Sequence, residues 1–416
     1  MPRIHRAWAI CAGGVLMLFT TVGLGANAFS VYQPYIIAYN NFTNAQGSWI
    51  ITVRSLFILI GMMTAAWACR RLGLRRAVTL SVLLIALSHL IFGLAETFPV
   101  YCLAAAVTGI GYCWGGMIPL SLLIDRWFQD RQAFALGLAA TGSGLATIAA
   151  PAPLTFLLER FGLRAAFWTE SACLLLIALV VWAVLRDTPE EAGTAPYRLA
   201  GHTSAPHEAR PAPAGMNRLC WYTALAASFL MGPATSLGLS NLAVLYSTAG
   251  FDPAVTSGLI SFMGLCLIGG KLIYGQLVDR LGGRRSNYAV YGAMILSFLL
   301  CCLAHTGSIP AAAAAMALFG LGLPVSCMSQ SVWAKDLLGD AGFAHGLKWL
   351  QSLFALGILL FGPVPGMLAD AFGSYEPAYA LFFLMTAVSL LLMGWVYART
   401  GAGAPPRPGG KTASRP

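Results

Sequence analysis

Two lysines interrupt long apolar stretches of this 416-residue chain. Lys271 lies eight residues before Asp279, which at about 1.5 Å per helical residue puts it roughly 12 Å from the charged end of its apolar run. Lys348 follows Gly342 by six residues and lies at a similar depth, roughly 9 Å. An ammonium group at the centre of a bilayer costs about 3 kcal/mol or more, so both lysines indicate a functional site.

Two ammonium groups that face one cavity repel each other, and a carboxylate between them would satisfy both through charge-assisted hydrogen bonds. The pair therefore predicts a site for a small organic anion, with Lys271 as the main contact and Lys348 as the second. The alternative is that each long side chain extends along its helix and places its ammonium group among lipid headgroups.

His345, Lys348, Trp349 and Ser352 share one face of a helix, because they follow the i, i+3, i+4, i+7 spacing. A polar stripe on a membrane helix normally faces protein or a water-filled cavity. We assign Trp349 to the substrate site. Histidine is the side-chain type that changes charge near neutral pH, so His345 is a candidate for proton coupling, although a solvated imidazole is the simpler interpretation.

Arg54 and Glu170 lie at similar depths in two other apolar runs. Either they form a structural ion pair, or Arg54 takes part in substrate access and binding. The apolar runs then contain three cations and one anion, an excess that favours an anionic substrate.

The composition is that of a membrane protein, with 58% hydrophobic and 10% charged residues and a mean hydropathy of +0.73. The net charge of +10 comes from short clusters between apolar runs, which argues against a nucleic-acid partner. No metal-ligand spacing, cofactor motif or catalytic motif is present in the sequence. We expect no enzyme activity and no cofactor; the expected partners are the bilayer and the anion, bound by a functional monomer.

Twelve apolar runs are separated by turn-forming or charged residues. They cover residues 7–38, 47–69, 77–96, 99–125, 132–158, 164–186, 217–248, 254–278, 286–305, 309–333, 342–368 and 376–398. This predicts an N-terminal six-helix bundle over 1–186 and a C-terminal one over 217–399. The linker 187–216 and the tail 400–416 are expected to be solvated and mobile, the tail disordered.

The distribution of basic residues predicts the orientation. If the N-terminus is cytoplasmic, the inner segments hold 20 Lys and Arg residues and the outer ones only Arg160 and Arg164. The positive-inside rule then places both termini in the cytoplasm of a multi-pass protein in the cell (plasma or inner) membrane.

The two halves of the chain repeat. LGLRR at 72–76 matches LGGRR at 281–285, and FALGL at 134–138 matches FAHGL at 343–347, both with an offset of 209 residues. Two matches in one register indicate a duplication of a six-helix unit. Parallel repeats of this kind place a substrate site at their interface, near the middle of the membrane.

The sequence GQLVDRLGGRR at Gly275–Arg285 resembles the motif that follows the second or eighth helix in the major facilitator superfamily. The first-half copy, at Ala66–Arg76, has Arg70 where that motif has Asp. The resemblance implies an all-α membrane protein with twelve transmembrane helices in two pseudo-symmetric six-helix bundles. It also implies gating roles for the matching residues, which are Asp279, Arg280, Gly282, Arg284 and Arg285 in the second half and Gly73, Arg75 and Arg76 in the first.

Three further segments are similar to the oxalate/formate antiporter and monocarboxylate transporter groups; they are AFSVYQPYI at 28–36, DRWFQDRQAFALGLAATGSG at 125–144 and HGLKWLQS at 345–352. These groups place a cation in the eighth helix, where this chain has Lys271. The lysine that the antiporters have in the eleventh helix aligns with Ser352, and Lys348 lies one turn earlier. Leu267 replaces an expected aspartate.

In this superfamily the first, fourth, seventh and tenth helices line the cavity. The candidate substrate-binding residues on them are Asn27, Tyr32, Tyr112, Trp114, Asn241 and Gln330. The alternative for each is a hydrogen bond between helices.

The prediction is a secondary active transporter of mono- or dicarboxylates that works by alternating access, as an antiporter or proton symporter. One alternative is an exporter of amphipathic compounds or drugs, in which the lysines are structural. A non-transporting membrane sensor is an alternative of another class, but the linker 187–216 is too short and proline-rich for an output domain. The repeated halves disfavour a channel.

Overall fold

The structure, a computed structural model, describes residues 5–129, 132–198 and 216–403, without the side chains of residues 66, 132–134, 279, 327, 340 and 344. Twelve helices follow one another in these ranges. They are α1 (Arg6–Asn40), α2 (Asn44–Leu72), α3 (Leu74–Leu94), α4 (Phe98–Trp127), α5 (132–161), α6 (163–184), α7 (Arg218–Ser240 and Leu242–Thr248), α8 (253–281), α9 (283–301), α10 (Ile309–Gly339), α11 (Ala341–Phe372) and α12 (Glu376–Thr400).

In the described part of the chain, nine helices are individually long and apolar enough to cross a membrane, or ten with the bent α7. The count rises to twelve because α5 with α6, and α8 with α9, follow one another directly. Each pair is divided at a single glycine with non-helical backbone angles, Gly162 and Gly282. Each predicted apolar run thus corresponds to one helix, and the predicted all-α membrane fold is confirmed.

The turns that end α2 and α8 carry the same backbone conformation. Gly73 has φ 83° and ψ 159°, and Gly282, 209 residues later, has φ 79° and ψ 164°. A residue with a Cβ would be strained at these angles, which explains the glycine in both copies of the motif. The repeat seen in the sequence is therefore a repeat in three dimensions.

The first helices of the two halves also match. In α1 a π-helical segment covers Phe19–Asn27, and in α7 one covers Pro233–Leu237, which the offset of 209 maps onto residues 24–28. Just beyond it, α7 bends by 56° at Asn241. Such segments interrupt regular helical hydrogen bonding and are frequent at functional sites.

The first part of the linker is packed against the first half, which differs from the expectation of a solvated segment. Asp187 accepts a hydrogen bond from the Arg75 backbone at 2.5 Å. Tyr197 packs against Trp8 and Phe128 with ring centroids 5.6 Å apart in each case, because aromatic burial compensates the cost of ordering the chain. The rest of the linker, 199–215, and the tail from 404 lie outside the described residues.

The two halves touch mainly at one end of the molecule, which we call the distal end and define by the turns at 41–43, 249–252 and 373–375. There the Asp370 carboxylate of α11 accepts hydrogen bonds from the backbone and side chain of Asn44 and from the backbone of Ala45, each at 2.9 Å. Deeper along the interface, Gln33 of α1 donates to Asn241 of α7 at 3.0 Å. We call the opposite end, with the turns at 73 and 282, the terminal end.

Candidate functional site: cations between the two halves

Lys271 lies on the side of α8 that faces the first half. Two turns earlier on the same helix face, Gly264 packs against Thr147 of α5, and one turn earlier Ile268 packs against Gly144. Lys271 continues this stripe toward the terminal end, is half-buried, and places its Nζ 3.4 Å from the Ser143 hydroxyl of α5. The eighth-helix lysine therefore lies at the interface between the halves.

A chain of neutral polar groups extends from Lys271 into the first half. Thr147, one turn from Ser143, donates to the Ser143 carbonyl at 2.9 Å and accepts from Asn27 Nδ2 of α1 at 3.1 Å. An ammonium has three donors, and among the described side chains Lys271 meets a hydroxyl and no carboxylate. The remaining donors are available to an anion.

Ser143 and Thr147 were not predicted as site residues. In the sequence their segment, ATGSGLAT, indicates close helix packing through glycine, and packing is what Gly144 provides. The two hydroxyls are four residues apart and so share one helix face. That spacing is the signal from which a polar face on this helix could have been predicted.

Lys348 is exposed, and its ammonium has no partner among the described residues. The face of α11 that packs on α7 carries Leu350 and Gly357. Lys348 lies on the opposite face, the one from which Gly362, further along, contacts Thr52 of α2. The second lysine thus also lies on a face directed at the other half.

Trp349 and His345 contact each other, with ring centroids 6.3 Å apart. Trp349 is 45% exposed and shares its helix face with the exposed Leu356 and Leu360. An exposed apolar face of this kind is suited to lipid. His345 is exposed as well, so the structure groups it with Trp349.

The alternative of an Arg54–Glu170 ion pair is wrong for this structure. Glu170 accepts a hydrogen bond from the Tyr32 hydroxyl at 2.5 Å and lies 3.5 Å from His89 Nε2. Tyr32, expected to line the cavity, is fully buried by this contact. Tyr32 and His89, rather than Arg54, contact the Glu170 carboxylate because they lie on helices that pack directly on α6.

Arg54 remains without a carboxylate among the described residues. It is 7% exposed, donates from Nη1 to the Ala26 carbonyl at 3.2 Å and lies over the Phe29 ring at 5.2 Å from the centroid. Its Nε has no acceptor in the described part, which is unusual for a buried guanidinium. Tyr112 of α4, another predicted site residue, is half-buried.

The other predicted cavity residues contact neighbouring helices. Trp114 of α4 donates to the Thr64 hydroxyl of α2 at 3.0 Å, and Asn241 bonds to Gln33. Gln330 of α10 is buried, and its side-chain nitrogen has no acceptor in the described part of the chain. Its amide nitrogen is therefore available as a hydrogen-bond donor.

The gating residues contact their own halves. Arg75 lies over the Trp182 ring of α6, 3.8 Å from its centroid, and donates to the Trp182 carbonyl at 2.9 Å. Arg284 donates to the Tyr288 hydroxyl at 3.4 Å, and its backbone bonds to Gly403. Arg76, Arg280 and Arg285 are exposed, and the Asp279 side chain lies outside the described residues.

A separate cavity of about 290 Å³ lies nearer the distal end, between α1, α5, α7 and α8. Its lining is mostly apolar and includes Pro34, Ala243 and Ile260. The hydroxyls of Tyr35 and Thr256, also in its lining, are buried without a hydrogen-bond partner among the described residues. The cavity does not include the lysines.

These features define a polytopic membrane protein of two repeated six-helix bundles, with lysines at their interface that have no carboxylate partner among the described residues. The sequence profile of the Major Facilitator Superfamily matches residues 15–348, most of the chain. The chain therefore belongs to the Major Facilitator Superfamily, and it is a transporter rather than an enzyme.

Relatives agree with this assignment. The chain is 22% identical to monocarboxylate transporter 12 of Mus musculus over 94% of this chain and 85% of the relative. It is 28% identical to the aspyridones efflux protein apdF of Emericella nidulans, over 36% of this chain and 31% of the relative. The crystal structure of a D-xylose-proton symporter shares the fold, with a TM-score of 0.73 at 12% identity, covering 93% of this chain and 96% of that one.

Proposed function

We propose that the protein is a secondary transporter of small organic anions, mono- or dicarboxylates, that works by alternating access of the two halves. The observation that carries the proposal is Lys271, a half-buried ammonium at the interface whose only described partner is the Ser143 hydroxyl. A carboxylate bound there would replace the lost hydration of the ammonium with charge-assisted hydrogen bonds.

The charge balance supports the proposal. Arg54, Lys271 and Lys348 have no carboxylate partner among the described side chains, whereas Glu170 is occupied by Tyr32 and His89. In this proposal Lys271 holds the substrate carboxylate, Lys348 assists it, and Arg54 attracts the anion along the path. The name of the mouse relative, a monocarboxylate transporter, points to the same substrate class.

The orientation is part of the proposal. With both termini in the cytoplasm of the cell (plasma or inner) membrane, the distal end faces outward. Contacts such as Asp370 with Asn44 would then close the outer side, so the described arrangement corresponds to an inward-facing state of a monomer.

The test is transport by purified protein in liposomes, with radiolabelled formate, oxalate, lactate and pyruvate, with and without a pH gradient. Counterflow of at least one of these anions is expected, and it should be lost in Lys271→Ala and largely kept in Lys271→Arg. Counterflow that persists unchanged in Lys271→Ala would remove the assignment of this site.

A second candidate is export of amphipathic compounds. It is favoured by the apolar cavity of about 290 Å³ between the halves and by the efflux function in the name of the Emericella relative. In that case the same liposomes should accumulate an apolar dye and ignore carboxylates, and Ile260→Trp, which fills the cavity, should block uptake.

A further inference from the structure

A cluster of ionisable side chains is buried inside the first half, away from the lysines. Tyr32 of α1, His89 of α3 and Glu170 of α6 form what we call the sealed cluster. The side chains of His89 and Glu170 are each 4% exposed, and Tyr32 is fully buried. The Phe167 ring stacks on Tyr32 at 4.0 Å and 9°, and Phe92 stacks on Phe167 at 5.2 Å, so the surroundings are aromatic.

Hydrogen-bond geometry fixes where one proton of His89 lies. His89 Nδ1 is 2.8 Å from the Ile85 carbonyl, which can only accept. The neighbouring Ser88 hydroxyl donates to the same carbonyl at 2.8 Å, so its hydrogen is not available to Nδ1. Nδ1 therefore carries its hydrogen, and a neutral His89 presents a lone pair at Nε2.

That lone pair would face Glu170 Oε2, 3.5 Å away. A lone pair and a carboxylate oxygen repel each other, so the arrangement requires one more proton. The aromatic surroundings disfavour separated charges, which places this proton on the carboxyl group rather than on the imidazole. The Tyr32 hydroxyl, which donates to the same oxygen at 2.5 Å, stabilises the cluster but leaves this requirement unchanged. Glu170 Oε1 has no partner among the described residues.

Few other titratable groups face Glu170. Tyr32 and His89 supply those from α1 and α3, and the next charged residue on α6, Arg164, is paired with Glu96 at the surface. On α4, the Tyr101 ring packs on Phe92 with ring centroids 6.0 Å apart, and its hydroxyl accepts a hydrogen bond from Asn40. Arg54 of α2 bonds to Ala26 instead. The proton count of the cluster therefore depends on its own three members.

The cluster is adjacent to the contact between the halves. Tyr32 precedes Gln33, whose side chain bonds to Asn241 of the second half at 3.0 Å. A change in the position of Tyr32 moves this part of α1, which lies between the π-helical segment ending at Asn27 and Pro34. The protonation state of Glu170 and the Gln33–Asn241 contact between the halves are thus connected through two consecutive residues, Tyr32 and Gln33.

From this geometry we propose that the sealed cluster is a proton-binding site that couples transport to the proton gradient, separate from the lysines. It holds one proton in the distal-closed arrangement. When the proton leaves to water, Glu170 and His89 repel, α1 shifts at Tyr32, and the distal end opens; the next proton enters there with the substrate. The inference rests on the proposed transport function and selects proton symport over anion exchange.

The first test needs no substrate. Infrared difference spectra of the full-length protein in lipid, recorded between pH steps, should show the carbonyl stretch of a buried protonated carboxyl group. Glu170→Gln should abolish the band, and Glu159→Gln, at an exposed carboxylate, should keep it. Tyr32→Phe retains the ring stacked on Phe167 and should move the titration midpoint. A band that survives Glu170→Gln, or one unmoved in Tyr32→Phe, overturns the proposal.

The second test separates this proposal from the proposed function. In liposomes, an inward proton gradient should accelerate carboxylate uptake at least tenfold, and Glu170→Gln should lose this acceleration while still exchanging carboxylates without a gradient. Exchange that ignores the gradient in the unmodified protein overturns the proton site and leaves the carboxylate carrier intact. If no carboxylate is transported at all, the proposed function fails and the infrared titration still decides whether the cluster binds a proton.

Discussion

The two ends of the interface between the halves differ in how their polar groups are satisfied. At the distal end the Asp370 carboxylate meets three donors of Asn44 and Ala45, and deeper along the interface Gln33 meets Asn241. Toward the terminal end, Lys271 has one long contact of 3.4 Å with a hydroxyl, and Lys348 has none among the described residues. One end is closed by contacts within the protein, and the other has cations without a carboxylate partner among the described residues, which the proposed function assigns to a ligand.

The polar contacts that close the distal end are weak. Asp370, on α11 of the second half, caps the first turn of α2 in the first half, and a helix cap contributes only about 1 kcal/mol to stability. Polar contacts of this size are weak enough for the binding of substrate or proton to shift the equilibrium between closed and open arrangements. The difference between the ends thus combines a weak polar closure with cations that lack a carboxylate partner among the described residues, a combination that the proposed alternating access requires.

The largest expected effect is at the unsatisfied end. Lys271→Ala removes charge-assisted hydrogen bonds worth about 1.5–3 kcal/mol, so anion affinity should fall by about tenfold to hundredfold. Binding of the transported anion is measured by calorimetry on purified protein. Lys271→Arg, which keeps the charge, is the control and should lose far less. Equal affinity in Lys271→Ala would mean that the open end does not bind the anion.

The next effect is at the closed end. A Cβ at Gly366 would lie 2.2 Å from the Asn44 carbonyl oxygen and 2.6 Å from the Ser48 hydroxyl, so α2 and α11 would have to separate. Overpacking of this kind costs about 1–3 kcal/mol. Gly366→Ala should slow counterflow about tenfold because the distal end no longer closes.

The matched control for that variant is Gly258→Ala. A Cβ at Gly258, also near the distal end, meets nothing within 4 Å. Its counterflow should equal that of the unmodified protein. If both variants transport normally, the approach of α2 to α11 is not needed for the cycle.

A smaller effect is expected from Asp370→Asn. The amide keeps one acceptor but loses the charge that favours a helix N-terminus, so the distal-closed state should lose about 1 kcal/mol, or about fivefold in population. Distances between spin labels on the distal turns of the two halves report that population. Asp252→Asn is the control, because Asp252 caps α8 of its own half, with a 2.8 Å bond to Ala254, and should leave the distances unchanged.

Much of the fold followed from the sequence because apolar length and glycine turns are local properties. The offset of 209 residues located both Gly73 and Gly282, and the backbone angles there agree within a few degrees. The pairing of Arg54 with Glu170 could not be decided in this way. Depth along a helix does not give the direction of a side chain around it, and His89, not considered as a partner, lies on the helix that α6 packs against.

The site was predictable only in part for the same reason. The lysines stand out because charge is rare in apolar runs, whereas Ser143 and Thr147 are common residues of membrane helices. Their meaning arises from the α5–α8 contact that Gly144 and Gly264 allow, which is a tertiary property. For Tyr32 the sequence led to the opposite error. Its hydroxyl suggested a residue that lines the cavity, whereas the structure buries it in a hydrogen bond to Glu170.

The smallest effect should come from Lys348→Ala, and it sharpens the contrast between the two lysines. Lys348 is exposed, so its interaction with an anion is screened by water and salt and should contribute only about twofold to threefold in affinity. That contribution should disappear in high salt, whereas the Lys271 contribution, from a half-buried ammonium, should persist. Calorimetry of both variants at low and high ionic strength measures this. A Lys348→Ala defect that equals that of Lys271→Ala and resists salt would show that the two lysines hold the anion together, within a cavity closed more tightly than the exposed arrangement seen here.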